Sequence, residues 1–257
     1  MEFTKLKFSI ADGIARIVLA DPTHHNAVDQ RWTEEFRVAA VACETAPDLR
    51  CVVLSAEGAQ FSVGGNLREF VAERARVDSH VRGMTVDFHA AILVLNRLSA
   101  PLVVAVNGMA AGGGFSLVCM SDLAIASRSA RFNFAYTRSG LTPDGGATYF
   151  LPRLIGLQRA FDLLATNPTL TADEAQRLGI IARVVDDADF EVEVEKVVRG
   201  LAALPAGAGG RLKQLLRAGV ENSLPSQLDL EGRAIATQAK HPETMATLAA
   251  FLAKGRA

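Results

Sequence analysis

Two rhythms of apolar residues run along this chain. Phe3 to Ile10 and Ile14 to Ala20 read as strands, and Ala11-Asp12-Gly13 between them tolerates the positive φ of a tight turn, so the spacing predicts a β-hairpin. Trp32, Phe36, Ala39, Ala40 and Cys43 then recur at helical spacing ahead of a strand-like run, Cys51 to Ser55. The alternation returns after Gly65. Val81 to Leu98 reads as a long helix, Leu102 to Val106 as a strand, Phe115 to Met120 as a short helix and Leu123 to Ala126 as another strand. Strand, loop and helix in repeated succession imply an α/β chain of stacked ββα units. Thr171-Ala172-Asp173-Glu174 is a capping box opening a helix that Gly179 stops. Beyond Arg183 to Val185 the chain is rich in Ala and Leu with helical periodicity. The Leu204 to Gly210 stretch, with its Pro and five glycines and alanines, reads as a flexible hinge before a semi-detached helical tail from about Arg211.

The punctuation between these elements carries the candidate chemistry. Asn107-Gly108-Met109-Ala110-Ala111-Gly112-Gly113-Gly114-Phe115 joins a strand to a helix, and its glycine triplet removes every Cβ from one bend. A ligand oxygen can there approach main-chain N–H groups at a helix's positive end. The same glycines also suit a tight packing turn. Phe61-Ser62-Val63-Gly64-Gly65-Asn66-Leu67 can offer another amide at another strand-to-helix bend.

Taken together, Phe-Ser-x-Gly-x-Asn-Leu and, about forty residues on, Asn-Gly-x-x-x-Gly-Gly-Gly resemble the crotonase (enoyl-CoA hydratase/isomerase) superfamily. Ile14 to Leu19, Asn26-Ala27, Pro101 to Gly114, Asp122 to Ala126, Gly140-Leu141-Thr142-Pro143-Asp144, Leu151-Pro152-Arg153 and Leu178-Gly179 extend the resemblance over nearly the whole chain. It implies a crotonase-like spiral core over residues 1–200 holding an acyl-CoA site. It also implies a C-terminal helical region over 201–257 that builds a homotrimer or a dimer of trimers.

The resemblance assigns roles by position. An oxyanion hole is expected from the amides of Val63 and Gly113, with Val63 narrowing a pocket where the family has a small Ala. Coenzyme A is expected along Asn26, Ala27, Ala59, Gln60 and Phe61, bounded by Gly64, Gly65, Gly112, Phe134 and Tyr136, with Lys254 a candidate for the nucleotide phosphates. The two glutamates of the family's hydratases fall on Ser116 and Tyr136, and neither a hydroxyl nor a phenol is an efficient general base near neutral pH. Asp144 then remains. Read from the residues alone, Pro143-Asp144-Gly145-Gly146 is a turn with a helix-capping Asp; the family context makes Asp144 a reacting carboxylate, as in phenylacetate-pathway isomerases. An enoyl-CoA double-bond isomerase with Asp144 as acid and base is the implied activity. The alternatives are a hydratase, a 4-chlorobenzoyl-CoA dehalogenase-like hydrolase and a catalytically silent CoA-binding protein. For the dehalogenase mechanism, counting back from Pro101 puts the required histidine at Leu93, one helical turn beyond His89. Val63, Met84, Phe88, Phe134 and Tyr136 are expected to shape the acyl pocket.

Composition narrows the field further. A formal net charge of -1 with scattered Lys and Arg gives no reason to expect nucleic acid or an anionic membrane as partner. Cys43, Cys51 and Cys119 lack metal-ligand spacing and are expected as reduced, buried thiols. His24-His25 lacks a third ligand, so no metal is expected. Gly114 to Val118 lacks the last glycine of a nucleophile elbow, and the triplet does not spell the dinucleotide fingerprint, so neither a serine hydrolase nor a bound cofactor is expected. Met1 to Lys5 does not begin a secretory signal and no window approaches a membrane span, which reads as a cytoplasmic location.

Overall fold

The computed structural model describes residues 2–254. A hairpin opens it: β1 (Leu6–Ala11) and β2 (Ile14–Leu19) pair antiparallel with Ala11 opposite Ile14. Asp12 (φ 52°) and Gly13 (φ 73°) make the two-residue turn. After α1 (Gln30–Thr45), the chain repeats one motif: β3 (Cys51–Ala56) and β4 (Gln60–Ser62) lead to α2 (Leu67–Ala72) and α3 (Val77–Arg97). Next, β5 (Leu102–Val106) and β6 (Met109–Ala111) lead to α4 (Gly113–Met120), and β7 (Leu123–Ser127) and β8 (Arg131–Asn133) lead to α5 (Ala147–Ile155). There follow α6 (Leu157–Thr166), β9 (Leu170–Thr171), α7 (Ala172–Leu178), β10 (Arg183–Val185), α8 (Phe190–Ala202), α9 (Ala208–Gly219), α10 (Leu224–Ala239) and α11 (Pro242–Lys254).

Each ββα turn contributes its first strand to one sheet and its second to another, which is what makes the chain a spiral. The six-stranded sheet runs β1-β2-β3-β5-β7-β10, parallel from β2 onward; the smaller one runs β4-β6-β8-β9, parallel until β9. Because side chains alternate along a strand, the large sheet buries both faces. Leu54, Val104 and Ala126 point into a core shared with Phe61, Phe115 and Phe132, while Val53, Val103 and Ile125 meet Phe190, Val194 and Val198 of α8. The expected stack of ββα units is thus present. The Thr171 capping box is made in full, and Gly179 ends α7 in the left-handed conformation at φ 84°.

The hinge expected between Leu204 and Gly210 is not a hinge. Ala208 to Gly210 already belong to α9, and a Cβ on Gly210 would lie 2.2 Å from the Ser99 carbonyl oxygen, so this glycine is the surface by which the helix docks on the core. One turn on, the Lys213 ammonium is buried. It donates to the carbonyls of Leu95 (2.9 Å) and Ala100 (3.3 Å) and pairs with Asp122 at 2.9 Å. Arg217 pairs with the other Asp122 oxygen at 2.7 Å. Burial pulls the Lys213 pKa down, opposed by Asp122. Several helices leave apolar residues uncovered; on α10 and α11 these include Leu224, Ile235 and Phe251, each more than 70% exposed. The Lys254 side chain, a candidate phosphate ligand, lies outside the described residues.

A charge stranded in the interior costs far more than the pair it came from. Asp122→Ala is expected to lower unfolding stability by about 3–5 kcal/mol. Adding Lys213→Met should recover part of that loss. Urea denaturation of the two variants checks this, and equal stability of wild type and Asp122→Ala would remove the buried pair from the account of how α9 docks.

Candidate functional site

Between α2, α3 and the two glycine bends lies a cavity of about 240 Å³. Val63, Met84, Phe88, Phe134 and Tyr136, expected to shape the acyl pocket, all line it, together with Gly65, Gly112, Gly113 and Asp144. Phe134 is fixed from behind by Phe115, whose ring stacks on it at 4.2 Å and 23°.

Parallel pairing of β4 with β6 brings the two bends into contact. A Cβ on Gly64, whose φ is +81°, would stand 2.8 Å from the Ala111 carbonyl oxygen and 3.1 Å from the Gly113 nitrogen. Gly113 opens α4, so its N–H belongs to the first turn, where no intrahelical acceptor exists. The Val63 amide behaves differently from the expectation. It donates to the His25 carbonyl at 3.2 Å, because the left-handed His25 and Asn26 (φ 55° and 52°) turn that carbonyl toward β4. Two residues on, Gly65 forms a lone parallel bridge with Val28, in which Val28 N–H donates to Gly64 and Asn66 N–H to Val28. Its own amide has no acceptor among the described residues, and Gly65 lines the cavity. The second free donor is therefore Gly65, not Val63. Val63 contributes a half-exposed side chain to the wall.

The residues expected along coenzyme A divide in the same way. Gly65, Gly112, Phe134 and Tyr136 line the cavity; Asn26, Ala27, Ala59, Gln60, Phe61 and Gly64 do not. Asn26 is wholly buried and committed to structure. Its Oδ1 accepts from Asp21 N–H at 2.9 Å, and its Nδ2 donates to the Glu57 and Gln60 carbonyls at 3.0 and 2.8 Å. Asp21 itself would be raised by burial, but hydrogen bonds from Lys5, His24 and Thr23 outweigh that and hold its carboxyl at about 2. Thus His24 caps a loop. Among the described residues no group of three or more His, Cys, Asp or Glu is arranged to hold a metal. Asn66 makes no side-chain cap to α2. No described helix is long and apolar enough to cross a membrane.

Asp144 is held at three points from three elements. Its Oδ1 accepts from the Tyr136 hydroxyl at 2.5 Å, its carbonyl accepts from Ser116 Oγ at 3.0 Å, and the following amide, Gly145 N–H, donates to His89 Nε2 at 3.2 Å. Ser116 Oγ also lies 3.1 Å from the Tyr136 oxygen, so the two hydroxyls and Asp144 form one cluster. Burial, and then the adjacent Asp144 carboxylate, raise the Tyr136 pKa well above its ordinary value, so the phenol stays protonated and donates. Tyr136 is therefore a polar clamp on the carboxylate as well as a wall of the cavity. His89 Nε2 stands 3.8 Å from Asp144 Oδ2, while Leu93, reached by counting from Pro101, is 63% exposed. The helical face was the better guide: His89 follows Thr85 and Phe88, both of which line the cavity, at the i+4 and i+1 positions of α3.

A protein-family profile described as enoyl-CoA hydratase/isomerase matches residues 9–257. The chain is similar to 4-chlorobenzoyl coenzyme A dehalogenase-2 of an Arthrobacter species, 34% identical over 95% of this chain and 88% of the relative. It is also similar to the 1,2-epoxyphenylacetyl-CoA isomerase of Escherichia coli K12, 31% identical over 95% of this chain and 94% of the relative. The crystal structure of an enoyl-CoA hydratase from Polaromonas sp. JS666 superposes with a TM-score of 0.90 at 29% identity, covering 97% of each chain. Two glycine bends meeting at one cavity, a spiral of ββα turns and a profile match over nearly every residue lead to one conclusion: the protein belongs to the enoyl-CoA hydratase/isomerase family, in the crotonase superfamily.

Proposed function

We propose that this protein moves a carbon–carbon double bond within an acyl-CoA thioester, with Asp144 as the single acid and base and the Gly65 and Gly113 amides as the oxyanion hole. The observation that carries this reading is that, among the described residues, Asp144 is the one carboxylate lining the cavity. Hydration by the two-glutamate route needs a second, and Ser116 and Tyr136 stand in those places. Isomerisation needs one. Asp144 takes a proton from C2 of a 3-enoyl thioester, the electron pair spreads onto the thioester oxygen between the two amides, and the same carboxyl returns the proton at C4 to leave the conjugated 2-enoyl product. Losing one such amide donor commonly costs roughly 3 kcal/mol of transition-state stabilisation. The reaction draws on no cofactor beyond the coenzyme A carried by the substrate. The uncovered apolar face of α10 and α11 suits a homotrimer or a dimer of trimers.

A second reading follows from the 3.8 Å approach of His89 to Asp144, together with the similarity to the dehalogenases. There Asp144 attacks the chlorine-bearing ring carbon, chloride leaves to give an aryl ester, and water activated by His89 hydrolyses that ester to release the product and restore the carboxylate. Against it, the Nε2 lone pair of His89 is already accepting from Gly145, and His89 is not part of the cavity lining.

Conversion of 3-hexenoyl-CoA to its conjugated isomer, followed by ultraviolet absorbance, tests the first reading. Asp144→Asn is expected to lower kcat by at least about a hundredfold; an unchanged rate would falsify the acid/base assignment. Tyr136→Phe keeps the ring and removes the 2.5 Å hydrogen bond, so kcat should fall about tenfold with KM nearly unchanged, since a hydrogen bond to a charged group contributes about 1.5–3 kcal/mol. A Tyr136→Phe enzyme as fast as wild type would show that the clamp is dispensable. Incubation with 4-chlorobenzoyl-CoA should leave the protein mass unaltered, whereas an aryl ester on Asp144 would move the conclusion to the second reading.

A further inference from the structure

We infer that His89 is a positioning residue for the Asp144 reaction, acting through its acceptor bond to the Gly145 amide; the inference rests on the acid/base reading of Asp144. The segment that carries Asp144 has little stiffness of its own. Gly145 and Gly146 follow it at φ +59° and +78°, and two successive left-handed glycines leave the backbone free to choose among several conformations. Something outside the turn must select one. Packing supplies part of the answer, since a Cβ on Gly145 would lie 2.8 Å from both the Phe88 ring and the Ser116 Cβ. That contact fixes where the Gly145 Cα sits. It does not fix the rotation of the peptide plane between Asp144 and Gly145, which decides where the carboxylate points.

Two hydrogen bonds set that plane from its opposite edges. Ser116 Oγ donates to the Asp144 carbonyl from α4, and Gly145 N–H donates to His89 Nε2 from α3. Gly145 is buried, and no other acceptor for its N–H is present among the described residues. With Nε2 accepting, the imidazole carries its proton on Nδ1 and is neutral. A base that must activate water needs that same lone pair free, and it is not. The imidazole stands 3.8 Å from the carboxylate and does not line the cavity. Without the acceptor, the Gly145 N–H would be left buried and unpaired in this conformation. A peptide rotation that relieved it would carry Asp144 away from the substrate carbon.

His89→Ala and His89→Gln separate this role from both rivals, because the Gln amide oxygen reaches about as far as Nε2 and accepts a hydrogen bond but cannot act as a base. With 3-hexenoyl-CoA, His89→Ala should lower kcat roughly ten- to a hundredfold while KM changes little, as expected for misplacement of a reacting group by about 1 Å. His89→Gln should return kcat to within about threefold of wild type. Amide hydrogen exchange by NMR gives a readout that needs no substrate: Gly145 should exchange at least about tenfold faster in His89→Ala and at the wild-type rate in His89→Gln. Wild-type kcat in His89→Ala, or unchanged Gly145 exchange, overturns the positioning role. A His89→Gln enzyme as slow as His89→Ala also overturns it, because the imidazole itself would then be doing chemistry. Failure of the underlying reading is distinguishable, since it shows as wild-type turnover in Asp144→Asn whatever His89 does.

Discussion

The constraint on which the site depends is the contact between two glycine bends. Gly64 meets the Ala111–Gly113 backbone at a separation that even a methyl group would breach. Because β4 and β6 are parallel neighbours in the small sheet, each strand's end delivers its bend to the same edge, and absence of Cβ atoms lets the bends close on each other. Two amides, those of Gly65 and Gly113, are then left beside one cavity without partners among the described residues. An unpaired N–H is costly unless an acceptor arrives, which is the property the proposed oxyanion hole would use. Everything else described in the site surrounds that point.

The rest of the site places one carboxylate opposite the amides. Ser116 and His89 determine the plane of the peptide after Asp144, and Tyr136 takes one of its oxygens, leaving the other available. Where the family's hydratases have two glutamates, this chain has two hydroxyls that hold Asp144: Tyr136 at its carboxylate and Ser116 at its main-chain carbonyl. Rigidity for this comes from the core behind it: Phe115 against Phe134, Phe88 against the Gly145 turn, and α4 buried along its full length.

Much of this architecture was legible in the residues. Leu102 to Val106 forms the strand that its apolar run predicts, the Asp12-Gly13 turn closes the hairpin, and Thr171 and Glu174 cap α7 reciprocally. Side-chain identity carried that information. The free amides at the cavity were half legible, because a backbone amide leaves no mark on the sequence. Gly113 was what the family resemblance implied, whereas preferring Gly65 to Val63 required knowing that the left-handed His25 turns its carbonyl onto the Val63 amide. His89 was missed for a related reason. Residue counting from Pro101 ignores where a helix begins, and the 3.6-residue face fixed by Phe88 is what places His89 next to Asp144. Gly209 and Gly210 misled in the other direction. Glycine signals flexibility when it is exposed, but here its small size lets α9 lie against Ser99 and Pro101, a use that composition cannot distinguish from a hinge.

Convergence of the Gly65 and Gly113 amides on a thioester oxygen is open to direct observation. In the Asp144→Asn protein, where turnover is blocked, isotope-edited infrared spectroscopy of 3-hexenoyl-CoA labelled with carbon-13 at the carbonyl reports how strongly that C=O is polarised. The account predicts a shift to lower frequency on binding, as two hydrogen bonds draw electrons onto the oxygen. A bound thioester whose carbonyl vibrates as it does in free solution would contradict it.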